Sequence, residues 1–159
     1  VELGCWPGGW LQVAARIVGP SGRVVGVDLA ELDPLGIENV VAFQADLLQP
    51  GVAERILDAL GGAADVLLSD AAPKLTGVRA TDRAREEALL EAIEALLPRL
   101  LRPGGSLALK LLESPEAQAV ARRLGAHFRG SRATRLRATR QGSAEKYLVA
   151  LDFIPPGPP

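Results

Sequence analysis

The chain opens on "VELGCWPGGW", residues 1–10. A strand end runs directly into a glycine-rich turn, and Gly8 to Val18 continues as a helix with Leu11, Ala14, Ala15 and Val18 on one face. Paired glycines let backbone approach a ligand closely, and Pro7 fixes the turn. The helix start points free N–H groups at the same place, which favours a carboxylate or phosphate. Two known phosphate loops do not fit. Trp6 stands where the second glycine of G-x-G-x-x-G belongs, and no Gly-Lys-Ser/Thr follows. The turn suits a ligand with a compact anionic end and no pyrophosphate. Trp6 and Trp10 read either as core aromatics or as walls of that site.

Outward from the turn, strand and helix alternate. "RVVGVDL", "NVVAFQAD" and "ADVLLSD" are short apolar strands, and "PGVAERILDALGG" is a helix opening on Pro and closing on Gly. Thr81 to Leu101 carries Leu89, Ile93, Leu96, Leu97 and Leu100 at helical spacing, with Thr81 as its expected N-cap and Pro98 expected to kink or end it. "GGSLALKLL" is a strand, and "SPEAQAVARRLG" a helix capped by Ser114 with Pro115 in its first turn. "FRGSRATRLRAT" and "EKYLVALDF" read as two antiparallel strands, and the tail "IPPGPP" as frayed. Strands apolar throughout, alternating with amphipathic helices, predict a doubly wound α/β fold. Its sheet is mostly parallel, helix-covered on both faces, with an antiparallel C-terminal strand. The domain is expected over residues 1–153, with 154–159 as tail.

Ligands of such folds bind at the carboxyl ends of the strands. Asp28, about 20 residues past the glycines, is placed to accept bonds from ribose hydroxyls, or simply to cap its strand end. Asp46 is placed to accept from an amino group such as that of adenine, or to cap a turn. Together with Gly8, Gly9 and Trp10 these residues describe a site for a nucleoside carrying a carboxylate, and S-adenosylmethionine answers that description. Asp70 follows the next strand, and Lys110 lies inside an apolar run, which is costly unless it is paired. Asp70 and Glu145 are its natural partners, in a structural ion pair or in a site.

Composition bounds the rest. At 159 residues with 48% hydrophobic and 23% charged residues, the chain has the balance of one soluble globular domain. One Cys and one His exclude a disulfide framework or Cys-rich zinc site within the chain and argue against a catalytic metal. No apolar run reaches the roughly 20 residues of a membrane span, and a reducing, cytoplasmic setting is expected. The net charge of −1 hides an asymmetry. Between Ala117 and Ala144 there is no Asp or Glu, while Arg122, Arg123, Arg129, Arg132, Arg135, Arg137 and Arg140 all fall there. That stretch is either a solvated surface or an anion-facing one.

The segments "VELGCWPGGWLQVA", "VVGVDLAELDP", "DVLLSDAAPKLTG", "PGGSLALKLLE" and "SAEKYLVA" resemble the FtsJ/RrmJ family of RNA ribose 2′-O-methyltransferases, in family order and over nearly the whole chain. The resemblance implies a Rossmann-like methyltransferase fold, S-adenosylmethionine as methyl donor with no metal, and a Lys-Asp-Lys-Glu catalytic tetrad. By motif, Asp70, Lys110 and Glu145 supply the tetrad's Asp, second Lys and Glu. Gly8, Trp10, Asp28, Asp46 and Asp70 fall on the donor site, beside Gly9. It implies RNA as partner, large-subunit ribosomal RNA or a ribosomal subunit before transfer RNA, and neither DNA nor membrane.

Lys110 is then the expected proton acceptor, in its neutral form. Burial and a second ammonium favour that form; two carboxylates oppose it. The family's first tetrad Lys lies upstream of the glycine turn, so an N-terminal segment is expected to precede Val1. A chain starting at Val1 is expected to bind donor but to methylate poorly. In the wider reading Arg132, Arg135, Arg137 and Arg140 contact RNA phosphates. Rival readings are a non-catalytic RNA- or donor-binding module and a methyltransferase of non-RNA substrates. A nicotinamide dehydrogenase fails on glycine spacing.

Overall fold

The computed structural model describes residues 1–111, 114–134 and 146–157. In chain order its elements are β1 (Glu2–Leu3), α1 (Gly9–Val18), β2 (Val24–Asp28), β3 (Val40–Gln44), α2 (Val52–Leu60) and β4 (Ala64–Ser69). They continue with α3 (Arg79–Leu100), β5 (Leu101–Leu111), α4 (Pro115–Ala126), β6 (Phe128–Thr134) and β7 (Lys146–Phe153). The strands form one sheet in the order β3-β2-β1-β4-β5-β7-β6. Pairings from β3 through β5 are parallel, and β7 runs antiparallel to both neighbours. This is the expected doubly wound α/β sheet with its reversed C-terminal strand. The order turns at β1, whose neighbours β2 and β4 lead away on opposite sides. A crevice opens at such a switch point.

The apolar residues divide between the two faces. Leu3, Val25, Val27, Leu67, Leu107 and Leu109 join α2, α3 and α4 in the main core, with Ile56, Ile93, Leu97 and Leu124 fully buried from the helices. Cys5, Leu11, Ala15 and Val24 form a separate cluster under α1. Gly26 makes that packing possible, because a Cβ there would lie 2.8 Å from Leu11 and 2.9 Å from the Cys5 sulfur. Cover on this second face is uneven: Val13, Ile17 and Val66 are exposed along a groove of about 720 Å³ that Trp10 also lines, and Val149 and Leu151 of β7 are exposed as well.

Two local expectations shift. α3 starts at Arg79 with Val78 as its N-cap residue, and Thr81 lies within the first turn. No side chain caps the helix; Asp82, in its first turn, instead reaches back to accept from the preceding loop. Pro98 does not end α3, which runs to Leu100 with the proline inside it. A proline this near the C-terminus forfeits a single intrahelical bond. Ser114 does cap α4: its hydroxyl accepts from the Ala117 N–H at 3.0 Å and donates to the buried Glu86 at 3.3 Å.

Candidate active site

Parallel strands place their carboxyl ends on one edge of the sheet, and the crevice there is a cavity of about 550 Å³. Gly4, Asp28, Asp46, Asp70 and Lys110, from five different strand ends, all line it. Each is held by local backbone chemistry. The Gly4 N–H donates to the Val27 carbonyl at 2.8 Å, while the Asp70 and Ala71 N–H groups donate to the Leu3 carbonyl at 3.1 and 3.2 Å. The glycine turn is thus pinned between β2 and the residues that follow β4. Gly4 has φ +79, and a Cβ on it would lie 2.4 Å from the Ala71 Cα. No side chain fits there.

The Asp28 carboxylate ties two loops together. Its Oδ2 accepts from the Trp6 N–H and its Oδ1 from the Ala30 N–H, both at 2.8 Å. Each oxygen retains a second lone pair for a ligand hydroxyl. Asp46 accepts from the Leu48 N–H at 2.9 Å through Oδ1, the turn-capping role, and still borders the cavity.

The charges meet at Lys110. It projects from β5, opposite Tyr147 of β7, and its Nζ lies 2.9 Å from Asp70 Oδ1. The Lys110 side chain is 11% exposed and that of Asp70 35%. A largely buried cation thus faces a half-open carboxylate, and both line the strand-end cavity. Glu145, the other partner expected from the sequence, lies outside the described residues, as do Arg135, Arg137 and Arg140.

Within the glycine turn the two tryptophans part company. Trp6 lines the cavity and is 59% exposed. Trp10, expected on the donor side, instead meets the ring of Tyr147 at 6.0 Å and faces the groove on the α1 side. Gly8 opens α1 in the left-handed region, φ 97, and packs under Leu35, while Gly9 is the helix's first residue. The Trp6–Pro7 peptide is cis.

A family model of FtsJ-like methyltransferases matches residues 1–153. The chain belongs to this family. It is 37% identical over 155 residues to the ribosomal RNA large subunit methyltransferase E of Methanobrevibacter smithii, a match covering 98% of this chain and 74% of that one. With the protein of the same name from Methanothermobacter thermautotrophicus the identity is 39% over 153 residues, covering 96% and 72%. A ribosomal RNA methyltransferase of Plasmodium falciparum shares the fold at a TM-score of 0.83 and 23% identity, covering 98% of this chain and 86% of that one. The chain is an S-adenosylmethionine-dependent methyltransferase.

In this FtsJ-like methyltransferase one further acid stands beside the site, unforeseen from the sequence. Glu2, inside β1, is 2% exposed, and its Oε2 has no hydrogen-bond partner among the described residues. Burial, with Asp70 adding to it, pushes its carboxyl up to about 8. The signal was present: a charge inside an apolar strand, the same feature that singled out Lys110.

Glu2 carries a testable pH dependence. Unfolded, it titrates near its ordinary 4.5; folded, near 8. Between those values the folded state holds the extra proton, so Glu2 makes stability fall as pH rises from about 4.5 to about 8. Glu2→Gln is expected to remove that slope and to raise stability at pH 8 by roughly 1–3 kcal/mol relative to the parent. Urea midpoints of both proteins at pH 5 and pH 8 check this. A variant and parent that lose stability in parallel would count against it.

Proposed function

We propose that the chain transfers a methyl group from S-adenosylmethionine to a ribose 2′-hydroxyl of large-subunit ribosomal RNA, in the cytoplasm. The observation that carries this reading is the Lys110–Asp70 pair, 2.9 Å apart at the floor of the strand-end cavity. The relatives' names point to the same RNA.

The cavity suits the donor in its chemistry. Asp28 offers lone pairs to ribose hydroxyls, and Asp46 offers its second oxygen to an exocyclic amine. Trp6 supplies an apolar wall. α1 opens on Gly8 and Gly9 without a capping side chain, so its first-turn N–H groups, that of Trp10 included, are left for a carboxylate. S-adenosylmethionine brings a methyl already activated by the sulfonium charge. The protein then has to align the acceptor and remove one proton. Lys110 takes that proton. Asp70 fixes the amine's position, and Glu145 is the third member of the group. Incubating the protein with methyl-labelled donor and large-subunit ribosomal RNA, then digesting to nucleosides, tests the reading. Label in a 2′-O-methyl nucleoside is expected, and label confined to a base would refute it.

RNA contact is assigned to the arginine-rich stretch. Arg129 and Arg132 are exposed on the edge strand β6. Arg123 is committed elsewhere, at 2.8 Å from Glu94 and 3.7 Å from Glu91. Alanine at Arg132, Arg135 and Arg137 together is expected to weaken RNA binding. It should flatten the log–log salt dependence by about 2, at about 0.7 per single-strand phosphate contact. Filter binding across salt concentrations measures this, and donor affinity should stay constant.

A further inference from the structure

We propose that Asp82, acting through the loop of residues 71–78, is a positioning residue for the RNA acceptor. The loop leaves Asp70 at one end and enters α3 at the other, with no strand or helix between. Its front is tied to β1 through the Leu3 carbonyl. Its far part is held by one carboxylate. Asp82 Oδ1 accepts from both the N–H and the hydroxyl of Thr76 at 2.7 Å, and Oδ2 accepts from the Gly77 N–H at 3.1 Å. Thr76 Oγ1 in turn accepts from the Val78 N–H at 3.2 Å. One turn further along α3, Arg85 donates to the Lys74 carbonyl at 3.0 Å. Residues three apart on one helix face therefore grip the loop at two points.

What the loop presents decides which ligand it serves. Pro73, Lys74 and Arg85 line the cavity together with Asp28 and Asp46 from the strand ends. The carboxylates suit a nucleoside's hydroxyls and amine. The two cations, Lys74 and Arg85, suit a phosphodiester backbone, and the loop that carries Lys74 begins at Asp70, the ion-pair partner of Lys110. Clamping the loop fixes those cations relative to the catalytic pair. The bonds from Thr76 hold the Asp82 carboxyl below its ordinary range, so the clamp is charged at neutral pH. This inference rests on the methyltransferase reading and assigns it a further residue.

The test compares the parent chain with Asp82→Asn and Thr76→Val. Three quantities are measured: tryptic cleavage after Lys74, located by mass spectrometry; retention of large-subunit ribosomal RNA on filters; and calorimetric binding of S-adenosylhomocysteine. Asn keeps one acceptor and cannot receive the Gly77 N–H through its amide nitrogen. Asp82→Asn is expected to speed cleavage after Lys74 by about tenfold and weaken RNA binding by about tenfold, with donor-product affinity within about twofold. Thr76→Val should shift the same two quantities by less. Unchanged cleavage would overturn the clamp. Product affinity falling in step with RNA affinity would overturn the assignment to the acceptor. A parent that binds no S-adenosylhomocysteine would refute the donor reading instead, and the cleavage and RNA arms would still decide whether Asp82 positions the loop.

Discussion

Replacing Lys110 with Met is expected to lower the rate of methyl transfer by about 10²–10⁴-fold, the range a positioned general base contributes. The donor's affinity should stay within about threefold. The two quantities separate because Lys110 reaches the cavity from β5, while Asp28 and Asp46 follow β2 and β3, and Asp70, shared with the donor, stays tied to β1 through the bond from its N–H to the Leu3 carbonyl. Met keeps the length of the buried stem and removes the ammonium, so packing around the 11% exposed side chain is preserved. Asp70 loses its ion-pair partner at the buried Oδ1, while the side chain as a whole, 35% exposed, stays in reach of water. The rate is best measured at saturating donor and RNA, relative to the parent chain, so that the loss is read in kcat. A variant that keeps more than about a tenth of the parent rate would remove Lys110 from the chemistry.

Gly4→Ala should be the most damaging small substitution in the glycine turn. Two independent costs coincide there. The backbone is in the left-handed region at φ +79, and the new methyl would sit 2.4 Å from the Ala71 Cα and 2.5 Å from its nitrogen. Those are backbone atoms, fixed by the bond from the Ala71 N–H to the Leu3 carbonyl, so they have no rotamer to yield. Together the strain and the clash are expected to cost about 2–4 kcal/mol of stability. They should also push Asp70 away from the turn and lower donor affinity by at least about tenfold. Gly9 is the comparison. A Cβ there would meet nothing within 4 Å, and its backbone is helical, so alanine should leave stability within about 0.5 kcal/mol. Thermal melts and calorimetric donor binding check both variants. Equal behaviour at Gly4 and Gly9 would mean that close approach to Ala71 does not govern the turn.

Much of this site is legible in the sequence. Asp28, Asp46 and Asp70 are found at strand ends because a run of apolar β-branched residues announces each strand and its last residue. A doubly wound sheet gathers those ends on one edge. Lys110 is legible by the opposite signal, a charge where only apolar residues belong. Other features depend on the path of the chain in space. The helix periodicity of Thr81–Leu101 gives no hint that Asp82 turns back to receive Thr76 and Gly77, because that bond depends on where the loop runs. Trp6 and Trp10 stand four apart in one turn, yet the two line different cavities, since α1 begins between them.

The sequence by itself determined the alternation of strands and helices, the reversed last strand, and which residue types stand at each strand end. These follow from periodicity and turn chemistry, which are local. The tertiary structure alone decided which of those residues meet. Lys110 reaches Asp70 because β4 and β5 are neighbours in a register that sets Ser69 beside Leu109. Gly4 tolerates no side chain because Ala71, 67 positions later in the chain, crosses directly over it. Strand order and register are fixed by packing across the whole sheet, and no window of sequence contains them.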